Sequence, residues 1–156
     1  MNIFVLDNDP VNAAKYLCDK HVCKMLLESA QVLCTVFHLK GSNAQYRATH
    51  VKHPCVLWTM ASKGNFDWLV EHARGIAIEK RFRYGTKHAS EDVVELCANA
   101  SSNLTFERTS MTPFVQAMPE TYKDVDAVKA YRAYYVGEKI RFAKWNKGRE
   151  RPEWFI

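Results

Sequence analysis

At 156 residues, with 47% hydrophobic and 12% aromatic side chains, the chain has apolar surface for one sizeable core but not two, so residues 1–156 read as a single domain. The opening Met-Asn-Ile-Phe-Val-Leu-Asp lacks a basic leader and its apolar stretch stops after four residues, so it reads as neither signal peptide nor anchor, and no other run is read as a membrane span. The net charge is +5, and Lys139, Arg141, Lys144, Lys147, Arg149 and Arg151 against Glu150 alone carry a surplus equal to it, which makes 139–156 a basic, aromatic C-terminal end suited to a polyanionic partner.

Residues 2–6 are expected to form a short strand or an extended segment. Asp9 before Pro10 supplies an N-cap and a proline at the first helical position, predicting a helix from Pro10 to about Cys18. From Asp19 to about Leu39 neither glycine nor proline interrupts a run rich in leucine, methionine, alanine and lysine, and Gly41-Ser42-Asn43 ends it. A loop through His50 and His53-Pro54 leads to Cys55–Met60. Asn65 to Tyr84 then places Phe66, Leu69, Val70, Ala73, Ile76 and Ala77 at helical spacing and closes at Gly85. Ser90 opens a short helix to about Ala98, and residues 99–119, polar and broken by Pro113 and Pro119, are expected to lie irregularly over the core. Asp124 is read as the cap of a last helix with Val128, Tyr131, Arg132 and Tyr135 on one face, running to about Trp145.

These elements describe a mainly α fold, a compact single-domain bundle of about four to six helices with a short extended N-terminal segment. The cysteines Cys18, Cys23, Cys34, Cys55 and Cys97 are odd in number and lack a C-x-x-C pair. They read as reduced core thiols of a cytoplasmic protein, and no metal or cofactor is implied.

On the long helix from Asp19, a step of about 100° per residue puts His21, Lys24, Glu28 and Gln31 within an arc of about 80°. The rest of its girth is apolar, so this polar stripe is expected to face a cleft rather than a broad wet surface. A base, a cation and a carboxylate within one side chain's reach shift each other's pKa as acid–base chemistry requires. The same spacing also describes an ordinary amphipathic helix with its polar side in water.

His50, His53 and Arg47 form a second polar cluster, a candidate anion site. Asn65 and Trp68, at the head of the following helix, complete a substrate-facing set of Lys24, Gln31, Arg47, His53, Asn65 and Trp68. In the C-terminal end, Trp145 among Lys139, Arg141, Lys144, Lys147, Arg149 and Arg151 alternates aromatic planes with cations, a pattern that fits a phosphate backbone and unstacked bases. A solvated tail held down by its aromatics is the competing reading.

The segment Asp19-Lys20-His21-Val22-Cys23-Lys24-Met25-Leu26-Leu27-Glu28, followed by Ala30-Gln31-Val32-Leu33, resembles the first long helix of the phage pyrimidine-dimer DNA glycosylases of the endonuclease V type, in which a histidine and, seven residues on, the catalytic glutamate share one helix. Pro54 opening a second helix, and Tyr134-Tyr135, Arg151-Pro152 and Trp154 near the end, are further echoes. The chain is also similar to small phage and bacterial proteins loosely grouped with those glycosylases.

The resemblance implies a monomeric, mainly helical, cytoplasmic enzyme (host cytoplasm if phage-encoded) that binds DNA and needs no membrane. It implies a glycosylase with AP-lyase activity in DNA repair, whose nucleophile is a free N-terminal α-amine. Such an amine titrates near ~8 and is partly neutral at physiological pH. Glu28 would be the catalytic carboxylate, with His21 and Lys24 in support, and Met1 and Asn2 would complete the catalytic set, Met1 carrying the amine because Asn2 is large enough that an initiator methionine before it is normally kept. The alternatives are a non-catalytic nucleic-acid- or nucleotide-binding phage protein, or an enzyme of modified-nucleotide metabolism, on the same scaffold.

Overall fold

The computed structural model describes residues 1–156 and contains six α-helices and no strand: α1 (Pro10–Tyr16), α2 (Asp19–Leu39), α3 (Pro54–Ala61), α4 (Lys63–Tyr84), α5 (Ser90–Ala100) and α6 (Ala127–Lys139). The mainly α expectation holds. Most boundaries follow local chemistry. Asp9 caps α1 by accepting from the Asn12 N–H, with Pro10 at the first turn. The Ser62 side chain caps α4 through the Asn65 N–H, which starts that helix at Lys63, and Gly85 ends it in the left-handed conformation at φ 67°.

Helices α2 and α4 are the longest and pack against each other; α1 lies on α4, α3 contacts both, and α5 closes the far side of α2. By length and composition α2 is apolar enough to cross a membrane, which corrects the sequence reading that no run approaches a span. Its apolar side chains are consumed by the core instead: Val22, Met25, Leu26, Ala30, Val32, Leu33, Cys34, Val36 and Phe37 are all buried. All five cysteines are free thiols, and Cys34 and Cys97 link α2 to α5 with their sulfurs 3.7 Å apart.

Residues 2–6 are extended but pair with no strand. Ile3, Phe4, Val5 and Leu6 are buried and thread through the core beneath α2 and α6. Phe4 takes a positive φ of 42°, a strained backbone for a bulky residue, costing about 1–3 kcal/mol. The Asn2 side chain stabilises this bend: its Oδ1 accepts from the N–H groups of Ile3 at 2.7 Å and Phe4 at 3.0 Å, and its Nδ2 donates to the Ala117 carbonyl at 2.8 Å.

The last helix is shorter than its sequence suggested. Asp126, not Asp124, caps α6, accepting from the Val128 and Lys129 N–H groups, while the Asp124 carboxylate accepts from the Asp126 N–H. The helix stops at Lys139 and the chain turns back so that the Lys144 carbonyl accepts from the Asp19 N–H at 2.9 Å and the Trp145 indole N–H donates to the Tyr16 carbonyl at 3.2 Å. A buried ionic cluster fixes the same corner: the Arg83 guanidinium donates to the Leu17 and Lys15 carbonyls, to Glu79 and to Asp19, and Arg149 reaches in to bond both oxygens of Glu79.

Candidate active site

Where the N-terminal segment passes α2, a small hollow of about 130 Å³ opens to the surface. Met1, Asn2 and Phe4 form one wall, His21, Lys24 and Glu28 of α2 the second, and Tyr134 and Lys139 of α6 the third. Three members of the polar stripe of α2, His21, Lys24 and Glu28, therefore face a concavity. Most of the apolar remainder of the helix lies in the core, with Leu27 and Leu39 exposed.

Glu28 is the hub. Its Oε2 lies 3.8 Å from the Met1 nitrogen and accepts a 3.1 Å hydrogen bond from the Asn2 backbone N–H, while its Oε1 lies 3.7 Å from Lys24 Nζ. The Met1 and Glu28 side chains are only 2% and 14% exposed, against 62% for Lys24. The Glu28 carboxylate is thus largely shielded, whereas Met1 is half-buried as a residue with its side chain inside, so its exposure lies at the backbone end, and Lys24 reaches the carboxylate from solvent. Shielding strengthens the mutual attraction of amine and carboxylate relative to bulk water.

His21 backs the hollow. Its ring stacks on Phe4 with centroids 4.7 Å apart, and its Nδ1 lies 2.8 Å from the Tyr135 hydroxyl, which accepts from the Cys18 N–H at 3.0 Å. The Cys18 N–H can only donate, so Nδ1 is the acceptor left for the proton of this buried hydroxyl, which places the imidazole hydrogen on Nε2. Burial, and then the cations of Lys139, Lys24 and Lys20, lower the His21 pKa to about 3. His21 is consequently a neutral donor, not a cation or a general acid.

His53 stands beside Met1 and Glu28 but outside the lining of the hollow. Its Nδ1 accepts from the Cys55 N–H at 3.1 Å, capping α3. Burial, then the positive charges of Met1 and His50, push its pKa down, while Glu28 and the Met1 carbonyl oppose the shift. His53 is therefore a neighbour of the amine and the carboxylate, although its ring also has a structural duty. His50, at a positive φ of 48°, shapes the turn that presents it.

The remaining sequence candidates separate clearly. Gln31, one turn beyond Glu28, is half-buried and does not line the hollow, and Arg47 is exposed in the loop before α3. Asn65 is fully buried: its Nδ2 donates to the Trp58 carbonyl and Thr112 Oγ1, and its Oδ1 accepts from the Thr112 N–H, pinning the irregular segment to α4. Trp68 is buried too, stacked on His72 with its indole N–H on the Asn8 carbonyl. Neither faces an open cleft, which corrects their place in the substrate-facing set.

The basic end is likewise divided. Trp145 is buried against Tyr135 and Phe155 and offers no free face for a base. Arg149 is committed to Glu79 and stacks on Phe82. Lys139 lines the hollow itself, with Nζ 4.9 Å from the Tyr134 ring centroid. Arg141, Lys144, Lys147 and Arg151 remain exposed and without a carboxylate partner. Phe4, Tyr134 and Tyr135 escaped the sequence-based list of site residues. The adjacency of the two tyrosines was a usable signal, since neighbouring residues on a helix point about 100° apart and one can enter the core while the other lines a cleft.

A family model for pyrimidine dimer DNA glycosylase matches residues 1–92, more than half of the chain. The chain belongs to the pyrimidine dimer DNA glycosylase family. Membership carries with it a DNA glycosylase-like function in general and DNA as the substrate. The matched residues include Met1, Asn2, His21, Lys24, Glu28 and His53, whereas the α6 wall of the hollow, with Tyr134 and Lys139, lies beyond the match. No curated protein and no solved structure matches the chain.

Proposed function

We propose that this protein is a DNA glycosylase with lyase activity on a damaged or modified base, in which the Met1 α-amine is the nucleophile and Glu28 the proton-transfer group. The observation that carries the reading is the 3.8 Å separation between the Met1 nitrogen and Glu28 Oε2 in a surface-opening hollow. A hollow of about 130 Å³ is far below the ~300–1,000 Å³ of pockets that enclose a whole small molecule. It suits a reaction on a polymer, in which one sugar carbon approaches the amine and the rest of the substrate stays outside.

The chemistry balances with the groups present. The neutral amine forms a bond to the sugar C1′ as the glycosidic C1′–N bond breaks and the base leaves with that electron pair. Glu28 takes the proton released by the amine and delivers it to O4′ as the ring opens, leaving an imine between Met1 and C1′. Glu28, again a carboxylate once O4′ has its proton, then takes a C2′ proton, and the electron pair of that C–H bond expels the 3′-phosphate and cuts the strand. His21 Nε2–H, Lys24 and Lys139 supply one neutral and two cationic contacts for the phosphates flanking the reacting sugar. The target nucleotide must leave the helical stack for C1′ to reach the amine.

Incubation with damaged duplex DNA and borohydride tests this directly, because hydride reduces the imine to a stable amine and cross-links the Met1 peptide to DNA. Glu28→Gln should lower adduct formation by ~10²–10⁴-fold while DNA affinity stays within about twofold. A one-residue extension ahead of Met1 should abolish the adduct in a folded protein. Absence of any adduct across a panel of lesions and modified bases, or an adduct on a residue other than Met1, would overturn the assignment.

A further inference from the structure

A second concavity, of about 440 Å³, lies between the first turn of α2, the end of α4 and the segment after α6. Lys20, Lys144, Lys147, Tyr84 and Phe142 rim it, and Cys23 lies in its lining. Lys80 joins it, with Nζ 3.7 Å from Cys23 Sγ and 4.3 Å from the Tyr84 ring centroid. Four ammonium groups from three separate stretches of chain thus converge on one groove.

None of the four has a carboxylate partner within ion-pair distance. The one acidic residue in the lining, Asp19, is already satisfied by Arg83 Nη1 at 3.1 Å and by the Asn146 N–H at 2.7 Å. Three of the ammonium groups instead lie over aromatic rings: Lys20 over Phe142 at 4.7 Å, Lys80 over Tyr84, and Lys147 over Tyr84 at 5.7 Å. Cation–π contact orients an ammonium without cancelling its charge, so the groove presents concentrated and uncompensated positive potential.

The groove also neighbours the active site through one ring contact. The Phe142 ring that bears Lys20 packs edge-on against His21 at 5.4 Å, and His21 backs the catalytic hollow. One turn along α2, Lys24 continues the line of cations to Glu28.

We propose that this groove binds the phosphate backbone of the DNA strand on one side of the reacting nucleotide, with Lys20, Lys80, Lys144 and Lys147 on its phosphates. The identity of the strand rests on the glycosylase reading. The footprint differs from the simple basic tail: α2 and α4 supply half of the cations, and Arg149 and Trp145 are excluded because the fold uses them.

Two measurements on undamaged duplex DNA test it without any chemistry. In fluorescence anisotropy titrations across salt concentrations, Lys20→Ala/Lys144→Ala/Lys147→Ala should flatten the slope of log K against log[salt] by ~2–3 units, at ~0.9 per phosphate contact, and weaken binding more than ~10-fold at low salt. A control triple of exposed cations elsewhere, Lys15→Ala/Arg108→Ala/Lys129→Ala, removes the same charge and should leave the slope nearly unchanged. In the unmodified protein Cys23 is the one cysteine not buried, so saturating DNA should slow its alkylation several-fold.

Equal slopes for the two triples, or a Cys23 alkylation rate indifferent to DNA, would overturn the groove. A protein that shows both effects but never forms a trapped adduct keeps the groove and loses the lyase chemistry. One that traps an adduct at Met1 with an unchanged slope and unprotected Cys23 loses only the groove.

Discussion

The backbone N–H of Asn2 donates to Glu28 Oε2 over 3.1 Å, so the oxygen that faces the Met1 amine is also the one that ties the N-terminal segment to α2. The Asn2 side chain completes the tie through Ile3, Phe4 and Ala117. One residue thereby fixes the direction of the amine, holds the strained Phe4 backbone and braces the irregular segment against the hollow.

Asn2→Ala should therefore act on placement more than on charge. It leaves the buried N–H groups of Ile3 and Phe4 without their acceptor, at a cost of about 1–3 kcal/mol. Urea denaturation should show that loss. Borohydride trapping at constant DNA occupancy should fall by ~10-fold or more, since a small misplacement of a nucleophile is expensive in rate. A variant that loses stability but traps at the original rate would show that Asn2 has no part in aiming the amine.

The long helices and the polar stripe of α2 were legible because their signals are local: uninterrupted helix formers, caps at Asp9 and Gly85, and a repeat near 3.6 residues. The meeting of Met1 with Glu28 could not be read that way, as it depends on Ile3–Leu6 threading the core with a positive φ at Phe4, a tertiary outcome without a glycine to announce it. Residues 140–145 contain no helix breaker, yet hydrogen bonds from Asp19 to Lys144 and from Trp145 to Tyr16 draw that stretch out of α6. Tertiary contacts there override propensity. Trp145, Asn65 and Trp68 misled for a shared reason: a polar or aromatic side chain beside charged neighbours looks surface-bound until its own hydrogen bond is found inside.

Stability should fall on mild acidification. Burial lowers the His72 pKa to about 4 against hydrogen bonding at the Pro10 and Ile3 carbonyls, and burial with nearby lysines lowers His21 to about 3. Both rings stay neutral in the folded protein while the unfolded chain takes up protons below about pH 6.5, so unfolding is favoured as pH drops. The loss is about 1.4 kcal/mol per pH unit for each histidine between that value and the folded-state pKa. Urea midpoints at pH 7 and pH 5 measure it, and His72→Gln should flatten the slope without removing it. A pH-independent midpoint over that range would mean that the rings are not neutral inside.

The Arg83 cluster should be a large contributor to folding. Burial alone would raise the Glu79 carboxyl, but hydrogen bonds from Arg149 and Arg83, with their charges, hold it below its ordinary value. Arg83→Met removes the central cation, strips the Leu17 and Lys15 carbonyls and Asp19 of their donor and leaves Glu79 to Arg149 alone, which should destabilise by about 3–5 kcal/mol. Arg149→Met, at the rim, should cost less because Arg83 still pairs with Glu79. Thermal unfolding of the two variants ranks them, and equal losses would contradict the central position of Arg83.

The contact of α1 with α4 turns on Gly75. A Cβ placed there would stand 2.9 Å from Ala14 Cβ, closer than carbon atoms can pack, and 3.4 Å from Val11 Cα. Gly75→Ala gains about 1 kcal/mol of helix propensity but must push α1 outward, and overpacking of a tight core costs about 1–3 kcal/mol. The clash should win, lowering the melting temperature. The shift should also loosen the Asp7–Asn8 turn that follows the N-terminal segment, because the Trp68 indole N–H is bonded to the Asn8 carbonyl and His72 to that of Pro10. Ala14→Gly in the same chain removes the opposing methyl, so the double variant should regain most of the lost stability, with a coupling energy of about 0.5–3 kcal/mol. If the two effects simply add, α1 does not rest on α4 through this pair.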